Sequence, residues 1–217
     1  GIGTSAPGYK LDIWDAASAI QRFVRNDASI SSNNSLGQVI FGGTEDGGTT
    51  VNLGAAIVGL SAGNWSATAS GGKLVFKTTD SGTTTLDDRM IIDHDGKVGI
   101  GTDAPAKLVD IHHATEPILR LTNTRNWTSS DSGNMGSLEF YTTDASGAGA
   151  RVISSIVCAS NAGSTAPNGE LVFSTAVGGG SGTAVIERMR ILDDGKVGIG
   201  IAAPSAKLFI TGDSTAR

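Results

Sequence analysis

The chain has 217 residues, of which 31 are glycine, about twice the usual share of ~7%, while aromatic residues make up 5% and the net charge is −5 from 16 Lys+Arg against 21 Asp+Glu. No basic run tracks a nucleic-acid backbone, and no stretch approaches the ~18 consecutive apolar residues of a membrane helix, so neither nucleic acid nor membrane insertion is expected. The opening Gly1-Ile2-Gly3-Thr4 has none of the charged and apolar regions of an export signal. The lone Cys158 excludes an intrachain disulfide and fits assembly in a reducing cytosol.

From the N-terminus onward, short runs rich in Val, Ile, Leu, Phe and Thr alternate with Gly, Ser, Asn and Asp clusters, the pattern of antiparallel strands joined by turns. Strands are expected near 18–25, 36–43, 50–60, 73–79, 83–94 and 97–102. Asp12 to Val24 has room for at most one turn of helix, and Trp14 within it reads as core. Trp65 stands in a Gly/Ser/Asn-rich stretch, where an aromatic ring either plugs a gap between strands or stacks on a sugar; Trp127 and Tyr141 share that setting. Asp87-Asp88 and Glu187 read as solvated turns, with nothing bulky and apolar beside them to raise a carboxyl pKa.

Asp95-Gly96 is a two-residue hairpin signal of the type I′ kind. With those two residues at the centre of the turn, His94 pairs with Lys97, Ile92 faces Gly99 and Met90 faces Gly101. Met90 and Ile92 are then expected on a buried face, over bare glycine backbone, with the intervening positions free to vary. Asp93 and Asp95 flank the turn and could offer oxygens to calcium, but the turn alone explains Asp95. Gly99-Ile100-Gly101-Thr102-Asp103-Ala104 spells a dinucleotide-loop fingerprint, which requires a helix immediately after it. Here Pro105 follows, and Lys107 to Ile111 alternates like another strand, so no nucleotide and no other cofactor is expected. His112-His113 project to opposite faces of a strand and cannot readily grip one metal ion. With no G-x-S-x-G elbow and no placed acid and base, no catalytic residue is assigned.

The second half of the chain repeats the first. The glycine motif recurs at Gly1, Gly99 and Gly198, spacings of 98 and 99 residues. "AIQRFVRN" from Ala19 answers "PILRLTNT" from Pro117, "GQVIF" from Gly37 answers "GSLEF" from Gly136, and "RMIIDHDGKV" answers "RMRILDDGKV". Met189 and Ile191 repeat Met90 and Ile92, and Gly198 and Gly200 repeat Gly99 and Gly101. The expected organisation is an all-β chain of tandem β-meander repeats of about 98–99 residues: 1–98, 99–197, and the opening of a third at 198–217. The first copy lacks the preceding "DGKV", so the chain is expected to begin inside a longer polypeptide.

The string from Arg89 to Ile111, repeated from Arg188 to Ile210 and in part from Gly1 to Ile13, resembles the repeat of bacteriophage tail-fibre and appendage proteins, of the kind that precedes self-cleaving C-terminal chaperone domains. The one departure within the motif is Ile201 where the earlier copy has Thr102. The resemblance implies a homotrimer wrapped around one axis into an elongated, rigid β-rich shaft. It implies a place in the virion after assembly in the host cytoplasm, contacts with other tail proteins, and a supporting part in host attachment. Few aromatics and many glycines agree, because a repeat that buries little core alone gains by sharing one with other copies. Met90, Ile92, Gly99, Gly101, Met189, Ile191, Gly198 and Gly200 are the expected packing and assembly positions, and the function is structural, with no enzyme activity. Alternative readings are a carbohydrate-binding module that meets a host glycan through Trp65, Trp127 or Tyr141, and a bacterial surface adhesin or extracellular filament subunit.

Overall fold

The computed structural model describes residues 5, 21–45, 47–125, 132–144, 149–160, 168–177 and 185–212. All regular structure among them is β. The chain divides into two compact units, Gly1–Ile118 and Leu119–Arg217, each with one six-stranded sheet. The first sheet contains β1 (Ser35–Gly43), β2 (Asn52–Ser61), β3 (Gly72–Thr79), β4 (Leu86–Ile92), β5 (Val98–Ile100) and β6 (Val109–Ile111). The second contains β7 (Gly133–Thr142), β8 (Arg151–Ser160), β9 (Glu170–Ala176), β10 (Val185–Ile191), β11 (Val197–Ile199) and β12 (Leu208–Ile210). In both sheets spatial order follows chain order, so each is a meander, as the alternation of strand and turn residues predicts. Only the last pair of each sheet, β5 with β6 and β11 with β12, is parallel.

That parallel pair explains the glycine motif. Parallel neighbours ordinarily need a crossover of about a dozen residues or more, yet only residues 101–108 separate β5 from β6. The connection is compressed by folding back on the strand it leaves. A Cβ on Gly99 would lie 2.5 Å from the Thr102 carbonyl oxygen and 3.0 Å from Ile91 Cγ2, and one on Gly198 would collide with the Ile201 carbonyl. Because the close contact is with backbone oxygen, the exchange of Thr102 for Ile201 leaves it intact. Gly101 and Gly200 start the loop in left-handed conformations, at φ 74° and 73°, and their N–H groups donate to the carbonyls of Arg89 and Arg188. Residues 101–108, where a pyrophosphate-binding helix would have to begin, form this loop instead.

The hairpin before each motif departs from the expected turn. The Asp93 N–H donates to Lys97 O at 2.9 Å and the Gly96 N–H to Asp93 O at 3.1 Å, so three residues, His94 to Gly96, form the loop. Gly96 is left-handed at φ 79°, and Asn33 is the one non-glycine residue with positive φ among the described residues. A type I′ turn, which needs positive φ at Asp95 as well, is excluded; the geometry is a type I turn closed by a glycine bulge. Leu192 to Lys196 repeats it, with Gly195 at φ 78°.

The extra loop residue shifts the register by one. Ile92 pairs with Val98, Ile91 with Gly99, and Met90 with Ile100; in the second sheet Ile191, Arg190 and Met189 pair with Val197, Gly198 and Ile199. A one-residue slip moves every side chain to the opposite face. Hence Gly99 and Gly198 lie beneath Ile91 and Arg190, and neither the expected Met90–Gly101 nor the Ile92–Gly99 pairing occurs. The buried face of the first sheet contains Ala56, Val58, Val75 and Ile91, the last two only 1% and 2% exposed, whereas Met90 and Ile92 are half-buried on the other.

One expected strand is missing. Residues 21–25 and their counterparts at 119–123 run without strand pairing, and the described part of Asp12 to Val24 has no helical turn; Trp14 lies outside the described residues. These segments are straps. A Cβ on Gly37 would stand 2.5 Å from Phe23 Cβ, and one on Gly136 would touch Leu121 at 3.7 Å, so each strap lies over a glycine near the start of its sheet's first strand.

The carboxylate of Asp93 braces the first hairpin by accepting the Lys97 N–H at 2.8 Å and the Asp95 N–H at 2.9 Å. Its desolvation, the largest single influence, pushes the pKa up, but these amides and the nearby charges of Lys97 and His94 outweigh it and hold it below the usual carboxylate value. The hairpin glycines and this brace yield two expectations. Gly96→Val and Gly195→Val should each cost about 1–2 kcal/mol of stability, the left-handed penalty of an L-residue, and Gly96→Asn less; denaturant midpoints measure both. For Asp93 the depressed folded-state pKa means that its stabilisation is full above the unfolded value of about 3.9 and is lost as the pH falls through the folded value. The thermal midpoint of Asp93→Ala should therefore fall less steeply than the parent's on acidification below about pH 4, and parallel curves would remove Asp93 from this role.

Candidate functional site

Side chains of paired residues share a face, so the register resolves each sheet into rows running across its strands. On one face of the first sheet the rows are Gly37, Gly59, Leu74, Ile92, Val98, Val109 and Val39, Ile57, Phe76, Met90, Ile100, Ile111. On the second they are Gly136, Cys158, Leu171, Ile191, Val197, Leu208 and Leu138, Ile156, Phe173, Met189, Ile199, Ile210. No charged residue occurs in any of these rows. Yet all of them are exposed or half-buried: Val39, Leu74, Ile100, Val109, Leu138, Leu171, Ile199, Leu208 and Ile210 are exposed outright. We call this the open face.

The opposite, closed face has rows Gln38, Val58, Val75, Ile91, Gly99, Asp110 and Ile40, Ala56, Lys77, Asp88 in the first sheet. In the second these become Ser137, Val157, Val172, Arg190, Gly198, Phe209 and Glu139, Ser155, Ser174, Glu187. Between the repeats, nine of twelve open-face positions hold the same residue, against three of ten on the closed face. The retained closed-face positions, Val58, Val75 and Gly99, are buried, and its exposed positions Gln38, Ile40 and Asp88 all change; the open face is retained although none of it is buried.

The straps extend the open face. Phe23 borders a shallow recess with Gly37, Val39, Ile57, Gly59 and Leu74, while Phe23, Val24, Leu119 and Leu121 are all exposed. Exposed Leu108 and Val109 in the first unit, and Leu208 and Ile210 in the second, stand at the opposite margins of the sheets.

On the closed face, charge replaces packing in the second repeat. Lys77 pairs with Asp88 in the first sheet. Ser174 occupies the Lys77 position in the second, and Arg190, at the Ile91 position, supplies the cation: Nη1 reaches Glu170 Oε2 at 2.6 Å and Nη2 reaches Glu187 Oε2 at 2.6 Å. The hydrogen bond to Glu187, followed by the charges of both carboxylates, raises the Arg190 pKa further against its desolvation. Glu170, 3% exposed, is the most buried acidic residue described. Sequence reasoning missed this cluster, since Arg190 reads as a surface residue until the register places it over Gly198.

The other residues singled out in the sequence are dispersed. Met90, Ile92, Met189 and Ile191 sit within the open face. Gly99, Gly101, Gly198 and Gly200 serve the β5–β6 and β11–β12 crossings. Trp65 is half-buried, and its indole N–H donates to Gly71 O at 2.9 Å. Tyr141 is 60% exposed at the end of β7, and Trp127 lies outside the described residues. Both Asp93 amide contacts fall on one carboxylate oxygen, and no cluster of metal-ligating side chains occurs among the described residues. The open face as a unit was missed as well; comparing alternate positions of the two repeats would have found it.

The ion cluster carries its own test. Arg190→Met removes the guanidinium between Glu170 and Glu187 and should cost about 2 kcal/mol or more in a denaturant titration. The combination Glu170→Lys, Ser174→Lys and Arg190→Ile, which installs the first repeat's residues, should recover most of that loss, and additive losses would contradict the compensation.

No protein-family model matches the chain, and no curated protein matches it. Among solved structures it is similar to the carboxy-terminal domain of the bacteriophage T5 L-shaped tail fibre with its intramolecular chaperone domain, at 16% identity and a TM-score of 0.47, covering 91% of this chain. The chain spans 64% of the length of that structure. It is also similar to the carboxy-terminal domain of the same fibre, at 15% identity and a TM-score of 0.46, covering 93% of each chain.

Proposed function

We propose that this chain is a structural component of a bacteriophage tail fibre or appendage, a rigid shaft segment that assembles with copies of itself into a homotrimer. It has no catalytic role and supports host attachment together with other virion tail proteins. The observation that carries the reading is the apolar open face, retained at nine of twelve positions in both repeats. Contiguous apolar surface of this kind marks an interaction site, and fully burying a Leu, Ile or Phe side chain contributes roughly 1.5–3 kcal/mol. The same complement is required twice in one chain, as a repeat protein meeting its own copies provides. The resemblance of the Arg89–Ile111 and Arg188–Ile210 strings to tail-fibre repeats supplies the biological setting, with the repeat phase 1–98, 99–197 and 198–217. Three copies in register present any attached tip three times, which raises avidity without strengthening a single contact. Exposed Tyr141 leaves room for a subsidiary contact with a host glycan.

Sedimentation equilibrium tests the assembly. The expected mass is three times the 21.9 kDa of one chain, and Phe76→Asp with Phe173→Asp should convert the trimer to smaller species. A stable monomer at micromolar concentration would overturn the proposal.

A further inference from the structure

We infer that copies of this chain meet head to tail within each repeat, the strap side of one copy's open face against the β6 or β12 side of the next, so that the ring closes and the open faces turn inward. This rests on the self-assembly reading above and specifies which surfaces meet. Each open face has two different apolar margins. Val24 on the first strap is 62% exposed, and Val109 on β6, at the other end of the same sheet, is 61% exposed. In the second repeat Leu121, at the Phe23 position of its strap, is 62% exposed and Leu208 on β12 is 59% exposed, while Thr122 takes the place of Val24. Two copies stacked face to face about a two-fold axis would cover the central rows but not require unlike margins to meet. A heterologous contact pairs unlike margins, and it closes into a ring when the rotation allows.

The strand edges themselves offer little. β6 and β12 have three residues each, too few to template a long hydrogen-bonded ladder with a neighbour. On the other side, Arg25 donates to Ser35 O on the first strand of its sheet, and Asn123 donates to Met135 O on the corresponding strand of the second, so strap side chains already occupy carbonyls there. The margins are therefore built to join through apolar side chains of strap and short strand, and not by strand addition.

Cross-linking with a short bismaleimide, in a Cys158→Ala background, tests the inference. Six strands at ~4.8 Å spacing place the two margins of one sheet roughly 24 Å apart, beyond the reach of a short linker within one chain. Val24→Cys with Val109→Cys should yield covalent dimers and trimers and nothing larger, and Thr122→Cys, at the Val24 position of the second strap, with Leu208→Cys should do the same through the second repeat. Each single variant should stay uncross-linked. Cross-linking of Val109→Cys alone would indicate a two-fold contact and overturn the inference. So would the absence of any cross-link in both double variants while sedimentation shows them associated, an outcome that leaves self-assembly standing. Monomers in sedimentation would overturn both.

Discussion

The left-handed glycine of each hairpin, Gly96 and Gly195, is the constraint on which the remaining structure depends. Because it lets a type I turn close over three residues, β4 meets β5 with Ile91 opposite Gly99, and β10 meets β11 with Arg190 opposite Gly198. That register decides which side chains are inside. A two-residue turn would have put Met90 and Ile92 over the glycines and turned Ile91 outward. The loop after β5 could not then fold over Gly99 without meeting a different set of side chains, since Ile91 Cγ2 and the Thr102 carbonyl already crowd that glycine from two sides. Turn, register, glycine motif and parallel edge strand are thus one device, built twice.

The consequence for the faces runs against the usual order of tolerance. On the closed face a change can be absorbed locally. Where Lys77 gives way to Ser174, Arg190 moves a cation into the layer and binds the carboxylate of Glu187, which stands where Asp88 stood. Such a swap needs only a few neighbours in the same sheet. The open face has no such freedom if its partner is another copy of the chain, because a change there alters both sides of every contact. Phe76 and Phe173, Met90 and Met189, and Ile100 and Ile199 are retained under that condition while remaining accessible in the isolated chain.

Much of this was legible in the sequence, and the parts that were not share a cause. The strands of each meander followed from alternation and turn residues, and the absence of a helix after the fingerprint followed from Pro105 and from Lys107 to Ile111. The faces were misassigned because Asp-Gly reads as the centre of a two-residue turn, and the dipeptide alone does not separate that from a three-residue loop. Asp93 was the available clue: its carboxylate accepts two turn amides, which a loop beginning one residue earlier brings within reach. The straps read as strands because Ala19 to Asn26 and Pro117 to Thr124 alternate well enough. Composition does not reveal that Gly37 and Gly136 are bare so that a side chain can cross over them. Arg190 was illegible for a related reason, since a charged residue on a strand looks solvated until two carboxylates are found beside it.

The same physics bears on why an open apolar face need not make the chain aggregate without limit. Long flat strand edges add further strands, and nothing in their hydrogen bonding counts how many. Here the last strand of each sheet is three residues long and parallel to its neighbour, and the first strand's side is crossed by a strap. Growth by strand addition is thereby discouraged at both sides of the sheet. What is left is side-chain packing between broad faces, and packing of that kind depends on angle and shape. It reaches completion when the faces enclose one another.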